Sequence, residues 1–217
     1  GLAMLALSRL YRSTNQDPKV SDTYEQTPAV SRSIDDYKRE ACELVRAGII
    51  YNSEYQKDKA IQVYQQALTI YRKIGERQEE ASVLWRLGGA YQDLEQYPKA
   101  IASYEQELAI YQNLGDRQEE IGTLGRLAEL YRDLEQYPKA IEFYQKSLAV
   151  SRAVGDRKAE ADALLALGGA YWKLNQHAKA IEVYEQVPAV FGDKSASSEE
   201  KRHQRKQEAD ALKRLGS

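Results

Sequence analysis

A 40-residue self-similarity runs through most of this chain and restricts its fold more than any other feature. Tyr51, Tyr91, Tyr131 and Tyr171 fall 40 residues apart. Ala60, Ala100, Ala140 and Ala180 keep the step, each followed by isoleucine, as do Tyr64, Tyr104, Tyr144 and Tyr184. Gly75, Gly115 and Gly155 repeat likewise, and segments 94–100 and 134–140 are identical. Composition carries the same mark: 16 Tyr against 2 Phe and 2 Trp means one type of position used many times. The register reaches back to Tyr11 and Tyr24. Near the far end, Glu208–Leu212 matches Glu160–Leu164 at a step of 48, which places an eight-residue insertion near 192–199.

Local signals divide each repeat into two helices. Gly115 can adopt the left-handed conformation that ends a helix. Asp116 then stands where an N-cap is wanted, with Glu119 three residues on as a capping-box partner. Leu124, Leu127, Leu130, Tyr131 and Leu134 have helical spacing and make the first helix. Pro138 suits the first turn of the second helix, whose apolar stripe is Ala140, Ile141, Tyr144 and Leu148. Small residues such as Gly88 and Ala100 let helices approach, and tyrosines fill the space around them. Pro28 and Pro188 stand where the inner repeats have Leu, so the terminal second helices should kink or stop early.

Leu84, Leu87, Gly88, Tyr91, Ala100 and Tyr104 together resemble the tetratricopeptide signature, with Leu84 in place of the usual leading Trp. The step is about six residues longer than the usual period of roughly 34, and resembles the 40-residue subclass of that family. The resemblance implies an all-α fold, a right-handed superhelical α-solenoid of antiparallel helix pairs with a concave surface lined mainly by first helices. It also implies a single array over 1–217: a degenerate N-terminal repeat at 1–47, regular repeats at 48–87, 88–127 and 128–167, and a terminal repeat at 168–217. Such an array binds a peptide or protein segment in its groove.

The resemblance places the residue before Leu87, with its equivalents, in that groove. The series is Arg46, Arg86, Arg126, Ala166 and Arg214. Four arginines there suit bidentate capture of carboxylates, so an acidic partner segment is expected. Asp93, Glu129, Asp133 and Lys173 lie nearby and complete the expected peptide-binding set; small Ser82, Gly89, Gly122 and Gly169 leave room. The competing reading is that Arg86 and Arg126 pair internally with Asp93, Glu129 or Asp133. Chaperone-binding relatives use Asn and Lys in this groove; those slots hold Arg46, Arg86 and Arg126, and Cys42, Ser82 and Gly122, so that function does not carry over. Trp85 and Trp172 read first as core or boundary residues.

Other classes fare worse. No phosphate loop, dinucleotide fingerprint or paired-histidine zinc motif is present, and nothing assembles a nucleophile, base and oxyanion site, so no catalysis, metal or cofactor is expected. A net charge of -2 argues against nucleic acid as a partner. The basic run at 201–206 is interspersed with acids and reads as the solvated face of a terminal helix. No apolar run approaches the roughly 18 residues of a membrane span, so no membrane partner is expected. The lone Cys42 fits a reducing compartment, and the expected location is cytoplasmic. Because the chain opens without Met, an origin in a longer protein is expected. The alternatives kept open are a self-assembling structural module, forming homo-oligomers through apolar end faces, and a recruitment domain of a larger regulatory or enzymatic protein.

Overall fold

Gly75, Gly115 and Gly155 take φ of 78°, 71° and 76°, the left-handed conformation that the repeat's spacing demands of them. Each ends a helix; past Gly115, the Asp116 N–H returns to the Tyr111 carbonyl at 3.0 Å. Asp116 then caps the next helix, its carboxylate accepting from the Glu119 backbone N–H at 3.2 Å. The other turn is built on a non-glycine residue. Glu95, Glu135 and Asn175 take φ of 58°, 57° and 57°, and Gln96 and Gln136 donate back to Tyr91 and Tyr131 at 2.8 Å. Both turns are too short to do anything but fold one helix back along its neighbour.

A computed structural model describes residues 33–190, which fall into two compact units, one up to Glu107 and one from Leu108. Among the described residues there are helices and no strand. In the first unit α1 (Ile34–Ser53), α2 (Lys57–Ile74) and α3 (Arg77–Asp93) lead into α4 (Tyr97–Leu114), inside which the boundary falls. The second continues with α5 (Arg117–Asp133), α6 (Tyr137–Val154), α7 (Arg157–Lys173), α8 (His177–Tyr184) and α9 (Val187–Val190). Within each unit successive helices pack as antiparallel pairs, so the all-α helix-pair class expected from the repeat is what the structure holds.

The core is the repeat's signature turned inward. Ala60, Ala100, Ala140 and Ala180 are fully buried, as are Leu84, Leu124 and Leu164 to within a few per cent. At the tightest joint a tyrosine ring lies flat on a helix that has no side chain there. A Cβ on Gly48 would sit 2.3 Å from Tyr64, and one on Gly168 would sit 2.4 Å from Tyr184. Carboxylates are buried as well. Glu80 is 3% exposed, and its carboxylate is held by Arg72 Nε at 2.9 Å and Arg77 Nη1 at 2.6 Å. Glu120 is its equivalent, held by Arg117 at 2.6 Å and Gln112 at 3.1 Å. The donors come from the preceding second helix and from the residue's own first turn, so each buried carboxylate locks one helix pair to the next.

Pro188 acts as its position implies. Where α2, α4 and α6 run 18 residues, α8 stops after 8, at Tyr184. Proline at 188 offers no N–H to continue the ladder and clashes with the preceding turn, so the chain restarts as the four-residue α9. Pro28, the insertion at 192–199 and the basic run at 201–206 lie outside the described residues.

Candidate functional site

Burial along the first helices defines two faces. On α3, Ala81, Leu84, Leu87, Gly88 and Tyr91 are buried. Helical spacing then places Ser82, Trp85, Arg86, Gly89 and Asp93 together on the opposite stripe. The same register selects Cys42, Val45, Arg46 and Ile49 on α1. On α5 it selects Gly122, Gly125, Arg126, Glu129 and Asp133, and on α7 Asp162, Leu165, Ala166, Gly169 and Lys173 with neighbouring Trp172. All the site residues expected from the sequence that fall within 33–190 lie on this stripe; Arg214 lies outside the described residues.

In the first unit the stripe is cationic and apolar. Arg46 is 58% exposed and rests on Glu43 of its own helix at 2.5 Å. Arg86 lies over the ring of Trp85, its Cζ 5.1 Å from the centroid, and its Nε is buried with no hydrogen-bond partner. The same guanidinium acts on the hydroxyl of Tyr64, through a hydrogen bond and through charge. Burial dominates there and pushes the Tyr64 phenol above its ordinary value, with Arg86 opposing. Asp93 is taken by Lys57 of α2.

The second unit carries more negative charge on its stripe. Arg126 donates to Thr123 Oγ1 at 3.0 Å, and a Cβ on Gly122 would lie 3.7 Å from its Nη1. Asp133 accepts from Arg132 Nη2 at 2.8 Å and from its Nε at 3.0 Å. Glu129, Asp162 and Lys173 are exposed. Ala166 stands where α3 has Arg86; the matching tyrosine of the preceding helix, Tyr144, is buried, and Arg132 of α5 acts on its hydroxyl instead. Burial pushes the Tyr144 phenol up; Arg132 opposes this by charge and by a hydrogen bond, while Glu129 and Asp133 reinforce it. Arg132 thus acts on the phenol and on Asp133 together.

Sequence reading missed the aromatic and aliphatic part of this surface. Trp85 and Trp172, read first as core or boundary residues, are 42% and 54% exposed, and Trp172 lies edgewise to His177 with centroids 4.3 Å apart. Ile49 and Leu165 are 41% and 50% exposed on the same stripe. The signal was available: position 85 follows 82 by three residues and precedes 89 by four, so a stripe containing those two must contain it. A shallow hollow along Gln62, Gln65, Gln66 and Thr69 belongs to α2 alone and offers neither charge nor an apolar wall.

Comparison with curated proteins finds no match. Among solved structures, the fold is similar to BtubC (BKLC) from P. vanneervenii at 17% identity and a TM-score of 0.63, covering 89% of this chain and 80% of that one. A putative kinesin light chain from Podosopora anserina with nearly identical TPR-like repeats is 22% identical, with a TM-score of 0.60 over 90% of this chain and 96% of that one. A Rap protein complexed with competence and sporulation factor is 19% identical, with a TM-score of 0.55 over 74% of this chain. The match spans about half, 49%, of the Rap chain. The family model for the tetratricopeptide repeat matches residues 40–113 and 119–191, which is most of the sequence and most of each described first helix. With Leu84, Gly88, Tyr91, Ala100 and Tyr104 placed in the core as that signature requires, the chain belongs to the tetratricopeptide repeat family.

Proposed function

We propose that the chain is a protein-interaction scaffold whose first-helix stripe receives a segment of another protein, without catalysis of its own. One observation carries this reading. Among the described residues, every large apolar side chain exposed within the body of a first helix lies on that stripe, namely Ile49, Trp85, Leu165 and Trp172. Apolar side chains alternating with arginine are what recognition surfaces are made of, because tryptophan and arginine bring large contact area and directed donors together. The repeats over 1–217 act in this reading as one array, in the cytoplasm.

The finer proposal is an acidic partner segment anchored on Arg46, Arg86 and Arg126, with Arg214 beyond the described residues. Asp93, Glu129, Asp133 and Lys173 would orient its amides and any basic side chains. What supports it is that Asp93 and Asp133 are engaged by Lys57 and Arg132, so neither is committed to a ladder arginine. The partners of Arg46 and Arg86 are a same-helix carboxylate, an indole face and a phenol, all of which an incoming carboxylate can outcompete. Nucleic acid and lipid are not the partners proposed. No helix among the described residues is long and apolar enough to cross a membrane.

The experiment is a pull-down comparing the native chain with Arg46→Glu/Arg86→Glu/Arg126→Glu, each checked for folding by circular dichroism. Proteins retained by the first and lost by the second, with retention falling as salt rises, support the reading. Equal retention by both would sink the arginine anchors.

A further inference from the structure

Helix α8 carries the repeat's tyrosine joint without its cover. Tyr184 lies on Gly168 as Tyr64 lies on Gly48, with ring atoms 2.4 and 2.3 Å from where a Cβ would stand. In the first unit α3 packs on α2 and brings Arg86 to the Tyr64 hydroxyl, leaving Tyr64 1% exposed and Ile61 8%. On α8 the same two positions, Tyr184 and Ile181, are 37% and 48% exposed. Among the described residues no first helix follows α8, and the short α9 packs against α7. An apolar face that every inner repeat closes is here left open to water.

The chain also carries a second copy of a helix that fits such a face. Residues 205–216 repeat residues 157–168, the opening of α7, and differ only at 207, 213 and 214. The buried residues of that stretch, Ala161, Ala163, Leu164, Leu167 and Gly168, recur as Ala209, Ala211, Leu212, Leu215 and Gly216. Lys213 replaces Leu165, which is itself 50% exposed, so the polar change falls away from the packing face. With the eight extra residues near 192–199 counted, Arg214 stands to Tyr184 as Arg86 stands to Tyr64.

We propose that residues 205–216, which lie outside the described residues, dock as a helix on α8 of the same chain and close its face. Leu212 and Leu215 cover Tyr184 and Ile181, and Arg214 donates to the Tyr184 hydroxyl. Arg205 and Lys206 of the basic run then occupy the first turn, where α7 has Arg157 and Lys158. The platform is short, 8 residues in α8 against 18 in α2 and α6, so the segment is held less firmly than an inner first helix. Any partner of the Ile181 and Tyr184 face has to displace the segment first, so the chain controls access to that face from within. This holds whatever the first-helix stripe receives.

The test uses the full chain as Cys42→Ser/Lys213→Cys, labelled with nitrogen-15 and carrying a nitroxide on the new thiol. The amides of Ile181, Val183 and Tyr184 should broaden. A mixture of nitroxide-bearing chain without the isotope and isotope-labelled chain without the nitroxide should show no broadening there. Adding Leu212→Glu/Leu215→Glu should abolish the broadening while the helical circular dichroism of the array persists. In the otherwise native chain, which needs no change at Cys42, the same pair should raise hydrogen exchange of the three amides at least about tenfold. Arg214→Gln and Tyr184→Phe should each raise it less, and together no more than either alone, because they remove one hydrogen bond. No broadening on α8, broadening only in the mixture (a second copy as occupant), or exchange unchanged by Leu212→Glu/Leu215→Glu overturns the proposal. Additive effects of Arg214→Gln and Tyr184→Phe overturn it as well.

Discussion

The ring of Tyr104 lies where Gly88 would carry its Cβ: three ring atoms would stand 2.4 to 2.7 Å from it. Helix propensity alone favours alanine over glycine at that mid-helix position, by about 1 kcal/mol. Here the clash outweighs it, because the obstacle is the body of a ring that is itself 3% exposed. Gly88→Ala should therefore destabilise by about 1–3 kcal/mol and lower Tm by several degrees, measured by thermal circular dichroism. The equivalent position against Tyr144 is Ala128, fully buried, and Ala128→Gly should destabilise too, through a lost methyl and a looser helix. An increase in Tm for Gly88→Ala would refute the close approach.

The turns between first and second helices offer the opposite sign. Glu95 and Glu135 hold φ of 58° and 57°, where an L side chain crowds its own backbone. Both are exposed, so replacement removes no packing. Glu95→Gly and Glu135→Gly should each stabilise by about 0.5–1 kcal/mol net of glycine's extra unfolded freedom, and the double variant should show nearly the sum. A fall in denaturant midpoint for either would contradict the left-handed geometry.

Glu80 tests the buried carboxylate. Its removal leaves Arg72 and Arg77 without a shared acceptor, although both are about half-exposed and can turn to water. Glu80→Ala should cost about 1–3 kcal/mol rather than the larger penalty of stranding a fully buried charge. Urea unfolding measures it, and a change below a few tenths of a kcal/mol would show that the cradle contributes little.

Asp156 gives a pH signature. The Ala159 backbone N–H, then the Gln118 side chain, hold its carboxyl below the ordinary value. A depressed folded value means the contribution is complete above the unfolded value of about 4 and is lost as pH falls through the folded one. Asparagine caps about as well without the charge. The native chain should thus melt higher than Asp156→Asn near neutrality, and the gap should close on acidification below pH 4. A gap independent of pH would mean the charge plays no part.

Much of the fold was legible because a repeat samples each position several times. Gly115, Asp116 and Pro138 each carried a specific backbone requirement, and each meets it; Pro188 ends α8 because a ring without an N–H cannot do otherwise. The surface was less legible, since periodicity says which face a residue shares but not what lies above it. Trp85 looked like packing because it adjoins Leu84, yet one residue along a helix is a 100° turn, enough to carry it from core to stripe. The groups that serve the buried tyrosine hydroxyls were beyond reach for another reason. Ala166 could be seen to break the arginine series, but only the fold shows that Arg86 acts on the Tyr64 hydroxyl while Arg132 acts on that of Tyr144.

Trp85 and Trp172 are the 2 tryptophans of the chain, one in each compact unit, and both stand half in water on the exposed stripe. Nearly all the indole emission of the protein therefore arises at that surface. Each substitution Trp→Phe would leave a chain with one built-in reporter, so that a blue shift or quench on mixing would announce which unit a partner has covered, with no label attached. Unfolding, by contrast, should move the emission little, because these two indoles begin already half hydrated.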